Sequence, residues 1–165
     1  MDSIAFIKQS LKSSTKVAME LLIDLQDEPI AQPTTEGGNH ALWILGHLTY
    51  SESTLFDSFI LGKPNRYPEW SKVFGIKSEP TTKADDYPPI DEVVQKFNAV
   101  RNDLLAWLER ASETNLDVKS HAPEDLSDKF GTVSLCLTAM LNHVSFHAGQ
   151  ASVIRKSLGR RPLMA

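Results

Sequence analysis

The sequence predicts an all-α protein built as a four-helix bundle. Four segments carry apolar residues at the three- and four-residue steps of an amphipathic helix, and no stretch of useful length alternates polar and apolar residues as a strand would. The nine prolines and eight glycines cluster between these segments, where they predict loops. A chain of 165 residues fits one domain, so we expect residues 1–165 to fold as a single unit.

The first half of the chain predicts two helices. An apolar stripe from Ile4 to Leu25 indicates the first helix, and Ser3 can cap its start. A loop rich in proline and glycine follows, and the second helix is expected to begin with Asn39 as N-cap and to end near Leu61. We expect these two helices to form a hairpin.

The second half predicts two more helices after a long connection. Residues 62–89 hold five prolines and several aromatic side chains, which indicates a packed connection and not a floppy linker. The third helix is expected from about residue 91 to Thr114, with Arg101 as a polar exception on its inward face, and the fourth from Thr132 as cap to Leu158. The long connection could cross the bundle, so that helices two and three run parallel.

Charge and composition narrow the partners and the location. The formal net charge is −4, so a nucleic-acid backbone would meet no net positive field, and we expect no nucleic-acid binding. No basic stretch followed by an apolar run opens the chain, and no window reaches the length of a membrane span. The single cysteine, Cys136, is expected to be buried and suits a reducing compartment. We therefore expect a cytoplasmic protein with no membrane partner.

A pair of histidines on the fourth helix is the strongest chemical signal. His143 and His147 are one turn apart, so they share a face with their Cβ atoms about 5–6 Å apart, a spacing that suits chelation of one ion. Among five histidines such a pair arises by chance in roughly one sequence in eight, so the pair alone is moderate evidence. Val144 stands where the H-E-x-x-H proteases carry their general base, which argues against a peptidase of that kind.

His47 is the candidate third ligand, because it lies mid-helix in an apolar setting at a depth compatible with the pair. A lone histidine of this kind is more often a hydrogen-bonded core residue, and that alternative stays open. Trp43 and Tyr50 flank it at helical spacing, and Gln150 follows His147 by three residues. These three could line a cavity beside the ion, although core packing explains the aromatic residues equally well.

The other two histidines are not expected to be ligands. His40 lies two turns before His47, near the helix start, and is expected to be exposed or to support the ligands from behind. His121 lies in a loop beside a proline and a glutamate, where a solvated side chain is expected.

Two motifs and a helix entry carry a family resemblance. They are the segment from Asn39 to Leu48 around His47, the run His143-x-x-x-His147-Ala-Gly-Gln, and Tyr87-Pro88-Pro89 before the third helix. With them the chain resembles the DinB-like (DinB/YfiT) family of metal-binding four-helix bundles over nearly its whole length. The resemblance implies a long crossover between helices two and three, a three-histidine divalent metal site at residues 47, 143 and 147, and a homodimer.

The resemblance and the residues together leave three hypotheses for function. The first is a metal-dependent enzyme acting on a small molecule, either a hydrolase that activates water or a transferase that activates a thiol, since family members with assigned activities include both. The second is a non-catalytic, metal- or small-ligand-binding stress-response protein, which stays open because no general base is identified. The third is that the histidines are structural and the protein works through its surfaces.

The expected cofactor is one divalent metal ion. Three neutral imidazoles leave coordination positions open for other ligands. Zinc or nickel is expected first, although copper and iron also suit nitrogen donors. Imidazoles must be deprotonated to bind metal, so release is expected as the pH falls through the range in which free histidine titrates, near about 6.5.

Overall fold

The computed structural model describes residues 2–163, and this part of the chain is all-helical, which confirms the predicted fold class. No strand forms within it, although two isolated bridges join Thr34 to Gly37 and Lys119 to Thr132. The helices are α1 (Ser3–Ile23), α2 (Ala41–Ser53), α3 (Ser71–Phe74), α4 (Ile90–Leu108), α5 (Ser127–Phe130) and α6 (Val133–Ser157). A π-helical segment, Thr54–Ile60, continues α2, and short 3₁₀ turns occupy the connections.

The four long helices, α1, α2, α4 and α6, share one apolar core. The main contacts of α1 are with α6 and those of α2 are with α4, so the predicted hairpin of the first two helices is wrong as a description of the main pairing. The reason is visible in α2, where every residue except Tyr50 and Ser51 is buried. A helix buried on nearly all sides packs against several neighbours and not chiefly against the helix that precedes it.

The caps of α1 and α2 differ by one residue from the prediction. Asp2, and not Ser3, caps α1 by accepting the N–H of Ala5 at 2.7 Å. His40, and not Asn39, caps α2, because its Nδ1 accepts the N–H of Trp43 at 3.1 Å. An oxygen or nitrogen acceptor at this position satisfies one of the backbone donors that a helix start leaves free.

The second helix ends where the sequence predicted, but through a wider turn. The N–H of Leu61 donates to the carbonyl of Phe56 at 3.0 Å, the i to i−5 bond of a π-helix. Gly62 follows with a positive φ of 65°, a left-handed conformation that suits glycine. The π segment turns its side chains relative to the register of α2, and such segments are common near functional sites.

The connection from Leu61 to Pro89 is packed, as predicted. Four of its aromatic side chains, Tyr67, Trp70, Phe74 and Tyr87, are buried. This connection also contains α3, which packs against α2. The segment therefore acts as part of the core and not as a linker.

The third predicted helix, α4, is shorter than expected, because it ends at Leu108 and residues 113–115 form a separate 3₁₀ turn. Its inward Arg101 is 3% exposed and pairs with the equally buried Glu52 of α2, which explains the polar exception in the apolar stripe. The last helix, α6, starts as predicted: the side chain of Thr132 accepts the N–H of Leu135 at 3.3 Å. Gly159, with a φ of 72°, follows its end.

Among residues 2–163, no helix combines the length and the apolar character needed to cross a bilayer.

Candidate metal centre

Three histidines from two helices that are far apart in sequence meet between α2 and α6. His47 comes from the middle of α2, and His143 and His147 lie one turn apart on α6. The Nε2 atom of His143 lies 3.1 Å from Nε2 of His47 and 3.0 Å from Nε2 of His147, and the three donor atoms all fall within 4.8 Å of one another. His47 and His147 are buried, and His143 is half-buried.

The hydrogen bonds of the Nδ1 atoms show which ring nitrogen of His47 and of His147 carries the proton. Nδ1–H of His47 donates to the backbone carbonyl of Phe74 at 2.7 Å. Nδ1–H of His147 donates to the amide oxygen of Gln150 at 2.8 Å. Both acceptors are oxygens that offer no proton, so the two neutral imidazoles carry their lone pairs on Nε2, which faces the shared point.

This arrangement fits a cation better than it fits hydrogen bonds. The Nε2 atoms of His47 and His147 are acceptors, and a single proton on His143 would have to serve both of them. Two nitrogen donors held about 2.0–2.1 Å from one ion lie about 2.8–3.4 Å apart at right to tetrahedral angles. The observed separations of 3.0 and 3.1 Å fall in that range. The residues present therefore could hold one metal ion.

Burial keeps the three imidazoles neutral. Burial, together with the adjacent imidazoles of His147 and His47, lowers the pKa of His143 to about 3. Burial also lowers the pKa of His147 to about 4, against the opposing effect of its bond to Gln150. The pKa of His47 is lowered by burial as well, although the bond to the Phe74 carbonyl opposes the shift. Neutral imidazole is the form that binds metal.

Each buried ligand candidate is held from behind by other residues. The indole of Trp43 stacks on His47 with ring centroids 4.6 Å apart and planes 8° apart, and its Nε1–H donates to Ser78 Oγ at 3.2 Å. The amide oxygen of Gln150, which holds His147, also accepts from Nδ2 of Asn39 at 3.0 Å. Such supporting contacts orient ligand rings and tune metal affinity.

A close helix contact supports the acceptor of His47. A Cβ atom placed on Gly46 would lie 2.2 Å from the ring of Phe74, so only glycine lets Phe74 pack this closely against α2. The carbonyl of the same Phe74 accepts the proton of His47. Gly46 thereby brings the connection to within hydrogen-bonding distance of His47.

A cavity of about 910 Å³ opens beside the histidines. His47 and His143 form part of its wall together with Tyr50. Trp43 and Gln150 are not among the residues that line this cavity. They lie behind His47 and His147, because the stacking and hydrogen-bonding contacts described above draw them to the far side of the rings.

Sequence reasoning missed two of the supporting groups. The carbonyl of Phe74 is a backbone atom, and no side-chain pattern marks it; the nearest signal was Gly46, which indicated a close approach of some kind. Asn39 was expected only as a helix cap, whereas its amide supports Gln150 from across the bundle.

The remaining histidines are not in the cluster. His40 is fully buried, which corrects the exposed alternative, and its Nε2–H donates to the carbonyl of Thr81 at 2.9 Å while Nδ1 caps α2. His121 is exposed, as expected. Cys136 is also buried as expected, and burial raises the pKa of its thiol to about 11.

Comparisons with known proteins agree with the resemblance drawn from the histidine motifs. No curated protein and no solved structure gives a significant match to the chain. The family model of the DinB superfamily matches residues 10–151, a range that includes all three clustered histidines and most of the chain. The chain therefore belongs to the DinB superfamily.

Proposed function

We propose that His47, His143 and His147 bind one divalent metal ion through their Nε2 atoms, zinc or nickel first, and that the protein is a metal-dependent hydrolase or thiol-dependent transferase for a small molecule. The observation that carries this proposal is the commitment of two Nδ1 protons to Phe74 and Gln150, which leaves the Nε2 lone pairs of His47 and His147 facing Nε2 of His143. A divalent ion held there would supply Lewis-acid chemistry to a water, thiol or carbonyl group.

The chain's own residues have defined tasks in this proposal. The Phe74 carbonyl and the Gln150 amide hold two imidazoles in the tautomer that binds metal. The cavity beside His47 and His143 gives a small molecule access to the open side of the histidine cluster. A transferase would take its thiol from a second substrate, because Cys136 is buried and its raised pKa disfavours the thiolate.

A second candidate is a protein that binds a metal ion and a small ligand without turnover. Asp128 is the only carboxylate among the residues that line the cavity, and it is exposed on α5. The cavity wall therefore holds no buried carboxylate that could serve as a general base. This observation favours a binding protein over a hydrolase that needs a protein base.

Metal analysis of protein purified without a histidine tag tests the site. We expect about one divalent ion per chain in the wild type and loss of that ion in His147→Ala. His121→Ala is the matched control, since His121 is exposed and outside the cluster. Equal metal content in the wild type and in His147→Ala would overturn the site.

Turnover assays separate the two candidate functions. Metal-loaded protein is offered a p-nitrophenyl ester, and separately chlorodinitrobenzene with a low-molecular-weight thiol. Metal-dependent turnover of either that is lost in His147→Ala supports the enzyme. Stoichiometric metal with turnover no faster than buffer supports the binding protein.

We also propose that the protein forms a homodimer. The family resemblance supports this, as do Phe146 and Val153, two exposed apolar residues seven positions apart on α6 and hence on one face. Light scattering of the wild type and of Val153→Glu tests it, with a dimer expected only for the wild type.

A further inference from the structure

The cavity is an elongated groove along α6. Its α6 lining residues fall at steps of three and four, so they share one face of the helix. They are Leu135, Thr138, Ala139, Asn142, His143 and Phe146. From His143 to Leu135 this face rises about 12 Å, at about 1.5 Å per residue. The histidines therefore lie toward one end of a groove that continues two helical turns beyond them.

The two ends of the groove differ in polarity. Near the histidines the wall includes Tyr50, Ser51 and Asn142, each within one turn of His47 or His143. Away from the histidines the wall is mostly apolar and includes Leu55, Phe59, Leu126, Phe130 and Leu135, with the exposed Asp128 and Lys129 of α5 beside them. The rings of Phe59 and Phe130 contact each other there, with centroids 5.6 Å apart. A molecule that fills this groove has a polar head at the histidines and an apolar tail at the aromatic pair.

The charges along the groove favour a negative head. Lys77 lines the wall three residues after Phe74, whose carbonyl holds His47, whereas Asp128 and Lys129 lie on α5 beside Phe130 at the other end and carry opposite charges. If the proposed metal ion is present, it adds positive charge at the polar end, because the three imidazoles that would hold it are neutral. An anionic group that can also donate electrons to a metal complements this end.

Resting on the proposed function, we infer that the substrate or ligand class is an amphipathic small molecule with an anionic, metal-binding head and an unbranched or flat apolar tail about 12 Å long. Carbon–carbon bonds of about 1.5 Å in a zigzag chain cover that length with about ten carbons. The tail lies between the π segment Thr54–Ile60 and α6 and ends at Phe59 and Phe130. The head reaches the open side of the histidine cluster.

A chain-length series tests this inference by binding and not by turnover. Straight-chain alkanoates from four to fourteen carbons are titrated calorimetrically into zinc-loaded protein, and alkanethiols of the same lengths distinguish the two kinds of head. Each added methylene buried in the groove should tighten binding about fourfold. We expect this gain to continue to about ten carbons and then to stop, because longer tails leave the groove.

Variants at the apolar end locate the tail. Leu135→Trp, two turns from His143 on α6, fills the apolar end and should move the plateau to shorter chains without loss of zinc. Thr138→Phe, at an exposed lining position, makes the same test if the first variant folds poorly. Ser152→Trp, on an exposed position of α6 outside the groove, is the matched control and should bind as the wild type does.

The outcomes separate this inference from the metal site. If the protein binds zinc but its affinity for the alkanoates does not depend on their chain length, the inference is wrong and the metal site stays intact. The same holds if neither groove variant moves the plateau. Failure to bind zinc together with a chain-length dependence in the metal-free protein overturns the proposed function but supports the apolar groove.

Discussion

Gly46→Ala tests whether the long connection supports the metal centre. The added Cβ would lie 2.2–2.4 Å from three ring atoms of Phe74. That ring cannot swing away easily, because it is fully buried with the rings of Trp70 and Tyr87 centred 5.0 and 5.7 Å from its own. The residue must shift as a whole, and its carbonyl shifts with it. We therefore expect the 2.7 Å bond from His47 Nδ1 to lengthen or break.

The sizes of the expected losses in stability and in metal affinity follow from these contacts. Overpacking a filled core costs about 1–3 kcal/mol of the free energy of unfolding. For a chain of this size that corresponds to a fall of about 2–12 °C in Tm. Loss of a group that supports a ligating histidine lowers metal affinity by about 10–100-fold. Gly46→Ala should thus weaken both the fold and zinc binding, although residue 46 is not a ligand.

Gly149→Ala is the matched control. It also lies inside a long helix, but a Cβ there would meet no atom within 4 Å. Alanine is a better helix former than glycine, so this variant should gain about 0.5–1 kcal/mol and keep its zinc affinity. Urea unfolding of the metal-free proteins and calorimetric zinc titration measure both quantities. Wild-type stability and zinc affinity in Gly46→Ala would show that the packing of Phe74 against α2 does not position His47.

Three further predictions concern other contacts. Gln150→Leu removes the acceptor of His147 Nδ1–H and should weaken zinc binding about 10–100-fold in a competition assay with a chelator; unchanged affinity would contradict this. Arg101→Met leaves Glu52 buried without its partner and should lower the free energy of unfolding by about 3–5 kcal/mol. Adding Glu52→Leu should recover most of this loss, as measured by urea unfolding. No recovery would show that the fold needs the ion pair itself and not only the absence of an unpaired charge. Burial lowers the folded-state pKa of His143 and His147 to about 3 and 4, so below about pH 6.5 the unfolded state binds more protons than the folded state. The metal-free protein should therefore lose stability as the pH falls from about 6.5 to about 4. This loss should be smaller in a double variant with glutamine at both positions.

The same pKa values revise the pH at which metal should leave. Free histidine predicts release near about pH 6.5. With the imidazole pKa lowered by burial, protons compete with the metal only at lower pH, nearer the values of about 3 and 4 for His143 and His147. Retention of metal at pH 5 would therefore agree with the buried geometry, whereas release near 6.5 would indicate exposed ligands.

The long helices could be predicted because their signal is local. Apolar residues at three- and four-residue steps define a buried face whatever the helix packs against. The ends were less predictable because capping depends on residues that are distant in sequence. Asn39 has the better capping side chain by type, yet its amide donates to Gln150 of α6. His40 caps instead, and its ring is held by the carbonyl of Thr81, which lies in the long connection.

The histidine cluster could be predicted for a similar reason. The groups that hold its imidazole rings could not. His143 and His147 share a helix, so their spacing alone places them together. His47 was indicated by its apolar surroundings, since a buried polar ring needs a partner. The π segment after Ser53 carries no sequence pattern that separates it from an α-helix, yet Thr54, Leu55 and Phe59 of this segment line the groove.

One short segment links the metal centre to the groove. The carbonyl of Phe74 holds His47, and the next three residues, Gly75, Ile76 and Lys77, line the groove wall. The carbonyl of Phe74 and the N–H of Gly75 belong to one planar peptide unit, so a molecule that moves Gly75 also moves this carbonyl. Binding in the groove and binding at the histidines are then coupled, and linkage requires each to change the affinity of the other by the same factor. Because Gly46 has no side chain, Phe74 packs closely against α2, and this packing limits how far its carbonyl can move. The strength of the coupling therefore depends on a residue that contacts neither the metal ion nor the molecule in the groove.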